Sequence, residues 1–366
     1  GKTHIIQKFD EKYRCLKMAF TNKACINING TTYHRGLGLN KRLQITPSKY
    51  NTIEKDYDVI ICEEFSMNTA WIWNYILWLR KLTTLPIVLC GDWGQCRPVE
   101  KHQPRFDKYK DHPAIQNFIG NSKILLTVNH RCANDKPFAE YLSKHKSNME
   151  GINVYDFEYH ACKNIFITKH LCYYNKTRKR VNGEVAEEVI KRQQIPATSI
   201  YQLEPYDPKK KKKEKGKKPI DPNSVFAQAW ADGVNYEDNP IKGKDKNPQQ
   251  SIKIFTGTPM IARMTEEKGK ALFNNEDFII SSISKEEVKL KSQNRDLTYT
   301  ISLQDLQSKF LVAWCLTTHK AQGQTIKQKI LIHNWTEMNN ELKYTAMSRA
   351  TNAKNVFIDF TIENVY

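Results

Sequence analysis

Hydrophobic positions in the first third of the chain form short runs separated by longer amphipathic or polar stretches. The runs are 15–20 (CLKMAF), 58–62 (DVIIC), 86–90 (PIVLC) and 123–127 (KILLT). Short runs of this kind, rich in Ile, Val and Leu and separated by helical segments, are typical of strands buried on both faces of a parallel sheet. The pattern therefore predicts an α/β fold from residue 1 to about residue 125.

A second set of strand-like runs begins after about residue 130 and continues only near the carboxyl end. These runs are 164–172, 309–318, 329–333 and 355–360, and they predict a second α/β domain. Between them lie shorter strand-like segments at 251–256, 277–283 and 297–303, separated by turn residues. They predict a small all-β insert over 251–304 within the second domain.

The segment 203–250 differs in character because it is rich in Lys, Pro, Asp and Asn. It contains the run DPKKKKKEKGKKPIDP at 207–222, which favours a disordered insertion, although a nuclear address or a nucleic-acid tether stays open.

The most apolar stretch, 69–82 (TAWIWNYILWLRKL), is too short and too interrupted to span a bilayer. The helical spacing of its large apolar residues predicts core packing for Trp71, Ile72, Tyr75, Ile76 and Leu79.

Charge narrows the class of partner. The chain of 366 residues has 57 Lys+Arg and 39 Asp+Glu, a formal net charge of +18. This excess favours a polyanion such as nucleic acid, with an ordinary solvated surface as the alternative. The nine cysteines are scattered, without a Cys-x-x-Cys pair or zinc-ligand spacing, which favours reduced thiols in an intracellular protein.

Three segments carry candidate chemistry. Gly1-Lys2-Thr3 matches the end of a phosphate loop, in which Lys reaches the β- and γ-phosphates and the hydroxyl of Thr binds Mg²⁺. Glu63 and Glu64 follow the apolar run 58–62, where one carboxylate can hold Mg²⁺ and its neighbour can accept a proton from water. Gln95 follows the run 86–90 and can orient that water.

Taken together in order, the motifs resemble those of superfamily 1 helicases, in particular the 5′-to-3′ branch that contains the Pif and RecD enzymes. The resembling segments are GKT (1–3), AFTNKACININGTTYHRGLGL (19–39), EEFSM (63–67), GDWGQCRPV (91–99), LTVNHRCANDKPFAEYL (126–142), TKHLCYYNKTRKRVN (168–182), IFTGTPMIARMTEEKGKALFNNEDFII (254–280), TTHKAQGQT (317–325) and YTAMSRAT (344–351). They extend over nearly the whole chain.

The resemblance implies two RecA-like P-loop NTPase domains with parallel sheets and an SH3-like insert in the second. The implied first domain covers 1–122, and the second covers 123–202 and 305–366. It also implies that GKT is the back half of a Walker A motif, so the first strand and most of the loop are lacking. We therefore expect residues 1–366 alone to bind nucleotide weakly.

The resemblance further implies roles at an ATP site. Gly1, Lys2 and Thr3, together with Gln322 and Gly323, would contact the nucleotide, and Thr3 with Glu63 would hold Mg²⁺. Glu64 would be the general base, Gln95 would couple the γ-phosphate to domain closure, and Arg131 and Arg349 would come from the second domain as arginine fingers. The family usually has Asp at the position of Glu63, so the two glutamates could partly exchange roles.

The resemblance also implies contacts to a single strand. The matched positions are Thr21, Asn22, Lys23 and His34 in the first domain and Asn175, Thr318, His319 and Lys320 in the second. Tyr33, Tyr173 and Trp314 are candidates for stacking on bases.

The implied function is an ATP- and Mg²⁺-dependent 5′-to-3′ DNA helicase of replication, recombination or repair. Its implied partners are single-stranded DNA and duplex junctions, with other replication or repair proteins as candidates and no membrane. A viral RNA helicase of the same superfamily and an ATPase-deficient basic nucleic-acid-binding module remain alternatives.

Overall fold

The structure is a computed structural model that describes residues 1–39, 47–98, 109–146, 148–149, 166–206, 248–266 and 272–359. The described residues form two compact units. The first unit is drawn from Gly1–Glu158, Gln322–Lys327 and Asn339–Asn355, and the second from Tyr159–Ala321, Gln328–Met338 and Val356–Tyr366. The domain boundaries inferred from the sequence remain predictions.

Helices occur in both units. They are α1 (Lys2–Asp10), α2 (Asn22–Asn27), α3 (Tyr33–Gly36), α4 (Pro47–Asp56), α5 (Ala70–Leu82), α6 (Pro113–Ile119), α7 (Lys136–His145), α8 (Asn175–Arg192), α9 (Leu306–Lys309), α10 (Thr318–Ala321) and α11 (Asn340–Met347). None of the helices in the described ranges is long and apolar enough to cross a membrane. The cysteines in these ranges are all free thiols, most of them buried.

The first unit contains a parallel sheet in the order β2-β1-β3-β4. Its strands are β1 (Cys15–Ala19), β2 (Thr31–Thr32), β3 (Val59–Glu63) and β4 (Ile87–Cys90). β1 lies between β2 and β3, with Met18 paired to Thr31 on one side and to Cys62 on the other. The predicted parallel sheet is therefore confirmed, and its strands at 15–20, 58–62 and 86–90 are present.

Helix α5 packs one side onto this sheet. Ile72, Ile76 and Leu79 are completely buried in the same core as Ile60 of β3. Trp71 and Tyr75 are only half-buried at the edge of that core. The core prediction for 69–82 is therefore confirmed for the three aliphatic residues, whereas the two aromatic residues pack against the core but are only partly buried.

The strand predicted at 123–127 is wrong. These residues form no strand, and their apolar side chains face solvent, with Ile124 90% and Leu125 83% exposed. An apolar run becomes a strand only when a neighbouring strand supplies its backbone hydrogen bonds. β4 is the last strand of the sheet on its side, and no described segment pairs with 123–127.

The second unit contains another parallel sheet, in the order β13-β5-β14-β15. Its strands are β5 (Lys169–Cys172), β13 (Cys315–Thr317), β14 (Ile330–Ile332) and β15 (Val356–Ile358). Helix α8 is fastened to this sheet by Asn182, whose side chain accepts from the backbone N–H of Cys315 at 2.9 Å and donates to its carbonyl at 3.2 Å. The second predicted α/β region is thus confirmed.

The same unit contains an antiparallel sheet in the order β11-β10-β9-β8-β12, and a separate antiparallel pair, β6 with β7. The strands are β6 (Tyr201–Leu203), β7 (Ile252–Ile254), β8 (Pro259–Ala262), β9 (Asp277–Ile283), β10 (Glu287–Ser292), β11 (Thr298–Ser302) and β12 (Phe310–Val312). The predicted β insert is confirmed and extends to β12. Most of the Lys-rich insertion, 207–247, lies outside the described residues.

Candidate nucleotide and nucleic-acid sites

The amino end of α1 carries the residues expected to bind phosphate. Gly1 is the N-cap of this helix, and Lys2 and Thr3 occupy its first turn. The Lys2 ammonium opposes the rise in the pKa of Glu63, and it adds to the effect of Lys146, which lowers the pKa of Asp92 despite burial. Neither Lys2 nor Thr3 has a side-chain hydrogen bond to another described residue. Helix amino ends attract anions because their N–H groups are unpaired and the helix dipole is positive there.

Glu63 and Glu64 lie where β3 ends. Glu63 is the last strand residue, and Glu64 turns the chain with a left-handed φ of 53° and ψ of 44°. This conformation is strained for a residue with a side chain and is frequent at functional sites. The two side chains are 4% and 7% exposed, and the Oε2 atom of each is buried without a hydrogen-bond partner among the described residues.

Burial of Glu63 next to a second carboxylate has an electrostatic consequence. Burial first, and then the charge of Glu64, raise the pKa of Glu63 to about 8, whereas Lys2 opposes the shift. A carboxylate whose charge is so disfavoured requires a cation to stay ionised at neutral pH. The unpaired Oε2 atoms of Glu63 and Glu64, and the hydroxyl of Thr3 in the first turn of α1, are oxygen donors of the kind that Mg²⁺ binds. No group of three or more His, Cys, Asp or Glu suited to a metal is found within the described residues.

Gln95 lies in the loop that follows β4. Its Oε1 is buried without a partner among the residues that the structure describes. At Gly91, a Cβ atom would lie 2.6 Å from the Phe65 ring, so the loop needs glycine to pass so close to the turn after Glu64. Asp92 accepts from the N–H of Gly94 at 2.9 Å and forms an ion pair with Lys146 at 2.5 Å. These contacts fix the loop beside the two glutamates.

The same loop is bonded to α11. The N–H of Cys96 donates to the hydroxyl of Thr345 at 3.0 Å, and Tyr344 donates to Asp92 at 3.3 Å. Arg97 forms an ion pair with Glu341. The motif with Gln95 and the motif with Arg349 are therefore one hydrogen-bonded structure inside the first unit.

Arg349 follows α11 and is 1% exposed. Its Nε donates to the carbonyl of Thr345 at 2.9 Å, its Nη1 to the carbonyl of Gln324 at 3.3 Å, and its Nη2 to the hydroxyl of Ser348 at 2.9 Å. All three acceptors are neutral. Burial first, and then the nearby Arg131, lower the pKa of Arg349 to about 10, whereas Glu64 opposes the shift.

Arg131 is a second cation of this kind. It is half-buried, and it donates to the hydroxyl of Thr325 at 3.1 Å and to the carbonyl of Ser348 at 2.6 Å. Burial lowers the pKa of Arg131, and Glu64 opposes the shift. Neither Arg131 nor Arg349 forms an ion pair with a carboxylate of the described residues.

Gln322 and Gly323 complete this cluster. Gln322 is 5% exposed, and neither its amide oxygen nor its amide nitrogen has a partner in the described part of the chain. Gly323 has a φ of +79°, which favours glycine, and its carbonyl accepts from the side chain of Asn27 at 3.3 Å. All the predicted nucleotide-site residues thus belong to the first unit.

The residues expected to contact a strand in the first unit differ in exposure. Thr21 caps α2 by accepting from the N–H of Ala24 at 3.2 Å, and Asn22 begins that helix. Lys23 is only 7% exposed. His34 is half-buried, and its ring lies 4.8 Å from the ring of Trp71. The Tyr33 side chain is completely enclosed, so the idea that it stacks on bases is wrong.

In the second unit, Thr318 is fully buried and its hydroxyl donates to the carbonyl of Cys172 at 3.2 Å. Because that hydroxyl already donates to a backbone carbonyl, this geometry does not support a contact between the Thr318 side chain and a nucleic-acid strand. His319 and Lys320, in α10, are half-buried. Asn175, at the start of α8, accepts from Nε of Arg178 at 3.0 Å.

The other two aromatic candidates for stacking also belong to the second unit. Trp314 is 9% exposed and packs near Phe255, with ring centroids 6.4 Å apart, so its assignment as a stacking residue is not supported. Tyr173 is half-buried, with its ring 4.6 Å from Tyr174.

Sequence reasoning missed the residues that hold the site together. They are Asp92, Lys146, Tyr344 and Thr345, which join the Gln95 loop to α7 and α11. Asp92, Tyr344 and Thr345 lie inside segments that resemble helicase motifs, so the resemblance could have identified them as site residues. Lys146 lies outside them.

Comparison with known proteins gives matches to solved structures. No family model matches the chain, and no curated protein matches it. Among solved structures, the Pif1 helicase from Candida albicans is similar with a TM-score of 0.62 and 17% identity, over 99% of this chain and 89% of that chain.

Two further Pif1 structures are similar. A Pif1 helicase from Bacteroides, solved with ADP-AlF3 and single-stranded DNA, has a TM-score of 0.53 and 18% identity, over 100% of this chain and 87% of that one. A structure of two coordinating Pif1 helicases at forked double-stranded DNA has a TM-score of 0.59 and 17% identity, over 99% of this chain and 86% of that one. These likenesses show the fold: two RecA-like domains with an additional antiparallel β domain.

Proposed function

We propose that this chain is an ATP-hydrolysing DNA helicase that moves along a single strand in the 5′-to-3′ direction. One observation carries the proposal. Among the described residues of the first unit, the cations Arg131 and Arg349 bond only to neutral groups, while Glu63 and Glu64 each bury an oxygen without a partner. Buried charges of this kind are costly unless a ligand compensates them.

A nucleoside triphosphate with Mg²⁺ supplies what both sets of charges lack. The phosphates are the anion for Lys2, Arg131 and Arg349, and Thr3 and Glu63 are the protein oxygens that would hold the metal. Bound Mg²⁺ would neutralise the charge that develops between the β- and γ-phosphates. The Pif1 structure that was solved with ADP-AlF3 supports this assignment by its fold.

The residues have distinct tasks in hydrolysis. Glu64 accepts the proton of the attacking water, which Gln95 orients. Arg131 and Arg349 stabilise the negative charge on the transferred phosphoryl group, because a planar guanidinium can donate to two oxygens at once. The link from the Gln95 loop through Thr345 and Tyr344 to α11 couples the loss of the γ-phosphate to a change in that helix.

The substrate is inferred to be DNA. The net charge of +18 favours a polyanion, and solved structures with this fold include Pif1 with single-stranded DNA and Pif1 at forked double-stranded DNA. Single-stranded DNA and duplex junctions are therefore the proposed partners. Replication, recombination and repair are the processes that require such an enzyme.

The first experiment replaces Glu64 by Gln in the full-length protein, including any residues that precede Gly1. ATP hydrolysis is measured with oligo-dT, and DNA affinity is measured by fluorescence anisotropy. We expect a loss of roughly 10²- to 10⁴-fold in hydrolysis with unchanged DNA affinity. Glu140→Gln, which changes an exposed carboxylate of the same unit, is the control and should keep full activity.

Four outcomes separate the alternatives. Full hydrolysis by the Glu64→Gln variant would remove Glu64 as the base. Wild-type protein that binds DNA but never hydrolyses ATP would instead be an ATPase-deficient binding module. Stronger stimulation by oligo-U than by oligo-dT would indicate an RNA helicase, and unwinding of a duplex with only a 3′ tail would reverse the proposed direction.

A further inference from the structure

Helix α5 has two faces that are both apolar. One face consists of aliphatic residues that are completely buried, Ile72, Ile76 and Leu79. The other begins with Trp71 and Tyr75, which are one helical turn apart and remain half-exposed. A helix that only covers a sheet needs one apolar face, so the aromatic face requires its own explanation.

The rings of this second face are in contact with His34. Trp71 and His34 have centroids 4.8 Å apart with planes at 65°, and Trp71 and Tyr75 have centroids 5.7 Å apart with planes at 88°. Burial lowers the pKa of His34, which keeps its imidazole neutral at physiological pH. His34 therefore contributes an aromatic ring more than a charge, and the three rings form a continuous group.

The position of the group follows from the sheet. β1 and β2 are parallel neighbours, so Thr21 after β1 and His34 after β2 follow the same carboxyl edge of the sheet. Helix α5 begins soon after β3 reaches that edge. The aromatic group is thus continuous with the residues already expected to contact a strand, at the edge where ligands of parallel sheets bind.

The polar surroundings favour a nucleic acid over an apolar protein partner. Thr69, the N-cap of α5, gives no side-chain hydrogen bond to the helix, and its buried Oγ1 has no partner among the described residues. The positive end of the helix dipole is therefore not compensated by its own cap. Arg35, next to His34, is exposed. An aromatic surface beside positive charge is the usual composition of a single-strand site.

We propose that Trp71, supported by His34 and Tyr75, stacks on a base of single-stranded DNA bound to the first unit. The inference rests on the DNA-binding part of the proposed function and goes further by naming the residue that contacts a base. It does not depend on ATP hydrolysis. The remaining strand contacts of the first unit then serve mainly the phosphates and sugars.

The test uses Trp71→Leu, which keeps apolar volume at the edge of the core but removes the aromatic ring. Affinity for oligo-dT is measured by anisotropy without nucleotide. We expect a loss of roughly 5- to 150-fold, the size of one base–aromatic stack, and Trp71→Phe should restore most of it. Trp78→Leu is the matched control: Trp78 is 43% exposed on the same helix, about 10 Å further along its axis, and its loss should leave affinity unchanged.

A second arm distinguishes stacking from a structural role. Oligonucleotides with a single abasic position are scanned along the strand against wild type and Trp71→Leu. At one position, removal of the base should weaken the wild type but cause little further loss in the variant. A purely structural Trp71 would give equal losses with both proteins at every position, which would overturn the inference.

Other results of the affinity measurements would contradict the inference or the proposed function. Wild-type protein that does not bind oligo-dT would contradict the proposed DNA-binding function as well as this inference. Normal DNA binding by Trp71→Leu would contradict the inference alone. Unchanged DNA binding combined with loss of self-association would indicate that the aromatic face contacts a protein.

Discussion

Both units of the molecule bury carboxylates, but the carboxylates differ in how completely they are hydrogen-bonded. In the antiparallel sheet of the second unit, Glu276 is completely buried and fully bonded. Arg295 donates to it through Nε at 2.8 Å and Nη2 at 2.5 Å, and Ser292 donates at 2.6 Å. In the first unit, Glu63 and Glu64 each bury an oxygen without a partner in the described residues, although Glu64 is near enough to Arg131 and Arg349 to influence the pKa of both guanidinium groups.

This difference separates charges that hold a fold from charges that serve a ligand. Glu276 and Arg295 form an ion pair, so removal of Arg295 would leave the completely buried Glu276 without its cation. In the first unit, Arg131 and Arg349 instead donate to neutral carbonyls and hydroxyls of the described residues, and one oxygen each of Glu63 and Glu64 is left without a donor. Burial of unpaired charges costs free energy of folding, and this free energy is regained when a ligand of opposite charge binds.

The largest expected effect concerns Arg349. In Arg349→Lys, a positive charge remains but its three donors to Thr345, Gln324 and Ser348 cannot all be replaced. We expect kcat for ATP hydrolysis in the full-length protein to fall roughly 10³-fold, as for the loss of an arginine finger. Arg180→Lys, which changes an exposed ion pair with Glu184, should have no effect. Unchanged kcat in Arg349→Lys would remove this residue from the reaction.

The second effect is on stability. Glu276→Gln removes the carboxylate that pairs with the partly exposed Arg295 guanidinium, and we expect the free energy of unfolding to fall by about 1.5–3 kcal/mol. ATP hydrolysis per folded molecule should stay at the wild-type level. Urea unfolding combined with an activity assay measures both. Wild-type stability in this variant would show that burial of Glu276 does not depend on its partner.

A third effect depends on pH. His170 contacts His333 at 2.9 Å and the carbonyl of Ile167 at 2.8 Å, and His333 contacts Asp359 at 2.8 Å. Burial first, then the neighbouring His333 ring, and then the charges of Lys169 and Arg180 lower the pKa of His170 to about 4. Because unfolded His titrates near 6.5, the unfolded chain binds more protons between these values. Stability should therefore fall as pH drops from about 6.5 to 4, by about 3 kcal/mol at most.

Replacement of His170 by Gln removes this titration. The free energy of unfolding should then depend less steeply on pH between about 4 and 6.5, as measured by urea unfolding at a series of pH values. The same slope in variant and wild type would assign the pH dependence to other groups.

The smallest effect is expected at an exposed pair. Arg14 bonds to Asp58 through its backbone N–H at 2.8 Å and its side chain at 2.7 Å, and this lowers the pKa of Asp58 to about 2. In Arg14→Ala, the carboxyl pKa should rise toward its ordinary value in an NMR titration, while stability hardly changes because exposed ion pairs contribute little. A large loss of stability would show that even exposed charges of the first unit are structural.

The sequence was sufficient for the parts of the fold that depend on local patterns. Runs such as DVIIC and KILIH became β3 and β14 because a buried parallel strand is apolar on both faces. The run at 123–127 has the same composition but no partner strand among the described residues, and composition alone cannot reveal that. The same limit explains α5, because helical spacing does not distinguish a buried aromatic residue from a half-exposed one.

The candidate site was predictable in its residue types but not in its connections. Glu63 ends β3, Glu64 follows it, and Gln95 lies in the loop after β4, so local sequence places them at one sheet edge. The bonds of Arg349 to Gln324 and of Cys96 to Thr345 join residues far apart in the chain. Burial of Thr318 likewise follows from its bond to Cys172, which no local pattern encodes.

The comparison of the two carboxylate sites is tested most directly by native-state hydrogen exchange. Glu64→Gln and Glu276→Gln are measured separately, through the amides of β3 for the first and of β9 and β10 for the second, so that each unit reports on its own stability. We predict that Glu64→Gln leaves the opening free energy of β3 at or above the wild-type value, while Glu276→Gln lowers that of β9 and β10 by about 1.5 kcal/mol or more. Equal losses in both variants would mean that Glu64 supports the fold, and the unpaired charges of the first unit would no longer indicate a ligand.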